Sequence, residues 1–247
     1  MTINRTLALT YFASLLPHHP RYVYWMDRAR AYAHYKFATQ TAPCGTWVAC
    51  PSYQLYSPTR TLNISQIVLR NTEIEDFAAY GYHASTLRYL ANLTMTDPRF
   101  DHLRIIPGMG NSCNQHENVW GFTMAAVAYQ DRQEAGWMRY MKRLADGDQP
   151  IHESPNHHDS NTPQPLFYRP SIAENSEAMS TAFYPAYGVM FRNGFETGNE
   201  TGLLLRAGMN WSHWDTDCLN VILYGKGVPL SPGTGYQYFS GAGPWQN

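Results

Sequence analysis

The sequence predicts an α+β protein with two unlike halves, helical over residues 1–147 and antiparallel β over 178–247. Three observations carry this. The first half holds long stretches with apolar residues three and four apart. Residues 148–177 are polar and rich in Pro, His and Asn. Beyond 178 the apolar period becomes two, with glycine-containing turns between the runs.

The helical elements come first. Residues 21–40 (RYVYWMDRARAYAHYKFATQ) place Tyr24, Arg28, Ala31 and Tyr35 at helical spacing, with no Gly or Pro inside. Residues 59–71 and 76–95 repeat the style. FAAYGYHASTLRYLANL sets Phe77, Tyr80, Ala84, Leu87 and Leu90 on one stripe, with Asp76 as N-cap. Residues 118–145 form another helix, with Asn118 before VWGFTMAAVAY and Gly147 past its end. Pro-containing loops at 43–58 and 96–116 join the helices in pairs. That is an array of helical hairpins rather than an alternation of strands and helices.

Residues 148–177 read as a linker or long surface loop. HESPNHHD within it has the composition of a metal tract. Its proline breaks rigid ligand geometry, and a solvated loop is the plainer reading. AFYPAYGVMFRNGF, ETGLLLRAG and DCLNVILYGKGVPL then read as antiparallel strands, with a tight turn at Gly225-Lys226-Gly227. A sheet of three or four strands with nothing to cover it is a poor place to stop. The expectation is a piece of something longer, or a short chain whose sheet packs on its helical half.

Composition narrows the function classes. The 247 residues carry a net charge of -1, which argues against a nucleic acid or anionic membrane held by bulk charge. No apolar run approaches the roughly 18 residues of a membrane span. MTINRTLALTYFASLLP lacks a small-residue cleavage site and is a poor signal peptide. Aromatic residues make up 14% of the chain, which suits either a tyrosine-rich core or a groove that stacks sugars. The four cysteines (44, 50, 113, 218) show no zinc spacing; Cys44 and Cys50 either bridge a small loop or are buried free thiols. Asn-x-Ser/Thr occurs at Asn4, Asn63, Asn92, Asn199 and Asn210.

One stretch stands out. In NWSHWDTDC, His213, Asp215 and Asp217 alternate just before a hydrophobic run. A helical array, a polar linker, and a sheet carrying this stretch, then G-x-P-L and P-G-T-G, resemble the heparinase II/III-like polysaccharide lyases, which include alginate lyases. The resemblance is most specific over 184–236, where YPAYGVMFRNG, the His213 stretch and GVPLSPGTGY follow in order. GTWVACPSYQLYS (45–57) and TDPRFDHLRIIPGMGN (96–111) are similar to two loops of the family's helical domain. The resemblance implies an incomplete α/α toroid of helical hairpins followed by a partial antiparallel β-sandwich. It also implies an acidic polysaccharide substrate and a secreted or periplasmic site of action.

The implied chemistry is β-elimination on a uronic acid. The C5 proton becomes acidic only when the neighbouring carboxylate is neutralised by a donor or cation. A base removes it and an acid assists the leaving oxygen; tyrosine and histidine suit these roles when the site tunes their pKa values. Carried over by position, Tyr53 is the tyrosine, with Tyr56 second, and His213 is the histidine. Trp47, Arg206, Trp211, Trp214, Asp215 and Asp217 would line the substrate.

The sequence also departs from the family pattern. The zinc ligands of the family's sandwich fall here on Asp215, Ser231 and Gln246, so no metal and no cofactor are expected. The Asn-His pair that holds the substrate carboxylate should precede the tyrosine loop. Only 52 residues do so, and His18-His19 beside prolines is a poor substitute. Asn114-Gln115-His116 comes in the wrong order. Arg206 could supply the missing charge. A carbohydrate-binding relative that lost the chemistry is the alternative reading. A toroid glycoside hydrolase using Glu73, Glu75 and Asp76 ranks third, because capping of a helix start explains those carboxylates. Nothing in the sequence sets an oligomeric state.

Overall fold

The computed structural model describes residues 3–47, 49–54, 81–98, 103–109, 133–146, 171–185, 187–197, 199–208 and 219–231. Among them run α1 (Ile3–Ser14), α2 (Tyr22–Gln40), α3 (Pro51–Gln54), α4 (Tyr82–Leu93) and α5 (Gln133–Asp146). A two-stranded ladder, β1 (Met95–Thr96) with β2 (Arg104–Ile105), follows α4. A five-stranded sheet closes the order: β3 (Ala182–Tyr184), β4 (Gly188–Asn193), β5 (Thr201–Arg206), β6 (Val221–Gly225) and β7 (Val228–Ser231).

α1 and α2 form a hairpin whose turn is fixed by aromatic contacts. Trp25 meets the edge of Phe12 at 5.6 Å, and His19 stacks on Trp25 at 4.5 Å. The predicted stripe of α2 does share one face, but Tyr24, Arg28, Ala31 and Tyr35 are all exposed. Met26, Ala29 and Ala33 point inward instead. Small side chains allow close helix approach, which a row of tyrosines would block.

α4 is the central helix. Leu87 and Ala91 face α5, in one cluster with Ala135, Trp137, Met138 and Met141. Tyr89, Leu90 and Leu93 face the sheet, in one cluster with Tyr184, Tyr187, Met190, Leu204, Ile222 and Tyr224. Burial on two sides makes α4 the wall between the two cores. Asp76 is not its cap: the helix starts after Gly81, which adopts φ 70 and leaves it without a side-chain cap. Phe77, Tyr80, Asn118 and residues 59–71 lie outside the described residues.

Two expected loops hold structure. Residues 43–58 include α3, and 96–116 include all of the β1–β2 ladder but Met95, with Met95 opposite Ile105 and Thr96 opposite Arg104. The linker reading also changes over its described end. Residues 171–181 form no helix or strand, yet they lie along α4 and α5. The Asn175 N–H donates to Gly136 O at 3.1 Å, and Asn92 Nδ2 donates to Ser180 O at 3.1 Å. Arg143 pairs with Glu174, and Arg88 with Glu177. The polar side chains that made the segment read as solvated dock it on the helices. HESPNHHD lies outside the described residues.

The sheet is an antiparallel meander in sequence order. β6 and β7 are joined by a two-residue turn in which Lys226 (φ 52) and Gly227 (φ 71) are both left-handed, as a type I′ hairpin needs. The inner face packs on α4 and the β1–β2 ladder, so the helical half does cover one side of the sheet. Along the other face run Phe183, Val189, Phe191, Leu203, Leu205, Val221 and Leu223, paired across four strands. Phe183 is 70% exposed and Phe191 49%. Strands apolar on both faces belong to a sheet covered on both sides.

Candidate active site

The loop that carries Tyr53 is built on α4. The Ala42 N–H donates to Thr46 O at 2.8 Å, Thr41 bridges to Trp47, and the Gln54 side chain donates to Gly45 O at 3.1 Å. Gly45 sits at φ +91; a Cβ there would lie 2.2 Å from Ser85 O. Only glycine permits both that conformation and that approach. Pro51 opens α3 at the first helical position, where its missing N–H costs nothing. Tyr53 is the third residue of that turn. Tyr56 lies outside the described residues.

Cys44 and Cys50 are free thiols, and Cys50 is fully buried in the core that includes Tyr184 and Tyr187. Tyr89 meets Tyr184 edge-on at 5.0 Å and Tyr187 at 5.2 Å. Burial pushes the Tyr89 hydroxyl well above its ordinary value, with the Tyr187 charge adding to it. Burial also raises Tyr184, against the pull of the Asn92 hydrogen bond and Arg192. These tyrosines are therefore core residues, not acid–base groups near neutrality. Tyr184, Tyr187 and Gly188 make the β3–β4 turn, and Gly188 pairs with Arg206 at the end of β5.

From that same sheet end the β5–β6 connection departs. Leu219 N–H donates to Arg206 O at 2.8 Å and Arg206 N–H to Asn220 O at 2.9 Å, so the connection leaves and returns at one point. His213, Trp211, Trp214, Asp215 and Asp217 belong to it and lie outside the described residues, as do Glu73, Glu75, Asn114 and His116. The fold thus brings the Cys44–Cys50 loop and the root of the His213 connection to one end of the sheet. Two expected substrate contacts are buried. Trp47 is 8% exposed and Arg206 2%. Arg206 points to the inner face of the sheet.

A polar cluster that the sequence reading missed anchors α4 to the sheet. Glu200 accepts two hydrogen bonds from Arg104, at 2.7 and 2.8 Å, and pairs with Arg192. Arg192 donates from Nη2 to Asn92 O at 2.6 Å and Thr94 O at 2.8 Å, and from Nε to Asn92 Oδ1 at 3.1 Å. Arg104 donates to Thr94 Oγ1 and Thr94 O. Its guanidinium lies 4.1 Å from the Phe195 ring centre. The arginines satisfy carbonyls that a helix C-terminus leaves unpaired, at the negative end of its dipole. Burial and Arg104 lower Arg192 to about 10, against the opposing pull of Glu200. Asn92 is buried and bonded on both sides of its amide, so its Asn-x-Thr motif cannot carry a glycan in this fold. One signal was readable: in FRNGF and ETGLLLR the charged Arg192 and Glu200 fall in phase with inward-facing positions.

No family model matches the sequence, and no curated protein does. Solved structures do. A heparinase III structure superposes with TM-score 0.69 at 12% identity over 98% of this chain. A second heparinase III gives 0.67 at 15% over 94%. The heparan sulfate lyase HepC from Pedobacter heparinus gives 0.69 at 14% over 97%. The chain spans about a third of the length of each, 33%, 34% and 33% respectively. At these identities the likeness shows the fold.

Proposed function

We propose that the chain is part of a polysaccharide lyase that cleaves a uronic-acid-containing polysaccharide by β-elimination. The observation that carries this reading is the fold shared with heparinase III and heparan sulfate lyase structures over nearly the whole chain. In this reading Tyr53, or Tyr56 in its place, is the general acid/base, and His213 is the base or neutralises the substrate carboxylate. Trp211, Trp214, Asp215 and Asp217 contact the sugar. Trp47 and Arg206, being buried, support the site from behind rather than touch the polymer. The helical hairpins are a segment of an α/α toroid and the sheet is one layer of a sandwich. The apolar outer face from Phe183 to Leu223 supports the second point.

The test is ultraviolet absorbance during incubation with alginate, heparan sulfate, hyaluronan, chondroitin and glucuronan. Elimination leaves an unsaturated uronate that absorbs. A rise that disappears in Tyr53→Phe and in His213→Ala is the expected result. A flat trace from folded protein that still retains the polymers favours the second reading, a binding relative without chemistry. The changed zinc-ligand positions, Asp215 and Ser231, are the observation on that side.

A further inference from the structure

A cavity of about 390 Å³ opens at the other end of the sheet from the His213 connection. Gly188 pairs with Arg206 at the catalytic end, whereas Thr201 pairs with Gly225 at the far end. The five residues of β6 separate the two by roughly 16 Å. The cavity is lined by Thr96, Arg104, Leu144, Glu196, Thr197, Lys226 and Gly227. These come from the β1–β2 ladder, the end of α5, the β4–β5 loop and the β6–β7 turn.

Hydrogen bonds tie parts of the lining together. Arg104 is fixed in the wall by Glu200, Thr94 and the Phe195 ring. Glu196 is held at φ 62, a conformation non-glycine residues seldom adopt, and its carboxylate accepts the Tyr140 hydroxyl. The Gly227 N–H donates to Glu200 O at 3.1 Å, which ties the turn bearing Lys226 to the loop bearing Glu196. Thr197 Oγ1 donates to Gly194 O at 2.7 Å.

The chemistry of the lining selects the ligand. The Lys226 ammonium favours an anionic group, while Arg104 is already paired with Glu200. A carboxyl group beside them disfavours a bare inorganic anion and accepts from hydroxyl donors instead. The Thr96 hydroxyl adds a donor and acceptor, the Thr197 hydroxyl, which donates to Gly194 O, adds an acceptor, and Leu144 adds one apolar surface. A polyhydroxylated ring bearing one carboxylate satisfies all of these, and the volume holds one such unit.

We propose that this cavity is a second saccharide site for a single uronic-acid unit, its carboxylate paired with Lys226 and its hydroxyls bonded by Glu196, Thr197 and Thr96. Burial raises the Glu196 carboxyl above its ordinary value against the pull of Arg104, which further suits it to hydroxyl partners rather than cations. The ligand class follows from the lining and not from the elimination reaction, so the two proposals fail separately.

The test is saturation-transfer NMR on the full chain with D-glucuronate, D-glucose, L-alanine and inorganic sulfate as probes. Glucuronate should bind, with glucose and alanine about tenfold weaker and sulfate unable to displace it. Lys226→Asn keeps the left-handed turn, since Asn-Gly is a preferred type I′ pair, and should weaken glucuronate about tenfold. Glu196→Gln should weaken glucuronate and glucose alike. Lys226 and Glu196 take no part in the proposed elimination, so these two variants read this cavity and not the catalytic site. Glucose binding as tightly as glucuronate, displacement by sulfate or alanine, or an unaltered Lys226→Asn variant would each overturn the assignment.

Discussion

At the scale of single residues, the Arg104–Glu200–Arg192 cluster decides most. All three are nearly inaccessible to water, and one carboxylate serves two guanidinium groups. Such groups tolerate joint replacement but not the loss of one partner, which leaves a buried charge uncompensated. Glu200→Gln should therefore cost about 3–5 kcal/mol, read as a lower urea midpoint with unchanged slope. A loss below about 1 kcal/mol would mean that the arginines are held by the α4 carbonyls alone. The buried tyrosines set a pH dependence. Tyr89 and Tyr184 have pKa values raised above 10.0 in the fold. Their stabilising contribution is complete below pH 10 and falls as pH rises through the raised values. Replacing Tyr89 with Phe isolates the tyrosine share: stability measured from pH 9 to 11 should decline less steeply in the variant than in the parent.

At the scale of elements, α4 links the candidate site to the sheet. Its first turn receives Gly45, and its last turn receives the two arginines. Gly45→Ala introduces both a left-handed strain of on the order of 1–3 kcal/mol and a clash with the Ser85 carbonyl. The loop from Thr41 to Gln54 should then detach, with limited proteolysis cutting there first and any activity dependent on Tyr53 lost. An uncut loop in the variant would show that α4 does not hold it. Much at this scale was legible in the sequence. The short apolar runs in GVMFRN, TGLLLR and VILYG, bounded by glycine turns, located β4, β5 and β6, and Lys226-Gly227 marked the turn after β6. α2 was legible in extent but not in orientation, because Tyr24 and Tyr35 outweigh Ala29 and Ala33 in apolarity while the smaller side chains fit the helix contact. The β1–β2 ladder was not legible, since two-residue strands carry no period.

At the scale of the whole molecule, the described residues form helices and a sheet packed on two sides of α4, with a second apolar sheet face turned outward. The polar segment 171–181 reinforces the joint through side-chain pairs that no local pattern signals, because Arg88 and Glu177 are 89 residues apart. The same distance in sequence hid the arginine cluster, in which Arg104 and Glu200 are separated by 96 positions. The candidate site was proposed only through motif resemblance. Spacing alone gives no reason to join Tyr53 to His213, and their joining stands as a proposal, with His213 outside the described residues. The most direct test of the proposed elimination is the fate of the solvent oxygen. Digestion of heparan sulfate in oxygen-18-labelled water, followed by mass spectrometry of the fragments, separates elimination from hydrolysis. The account predicts unsaturated fragments without the label, and none from Tyr53→Phe. Labelled, saturated fragments would contradict it.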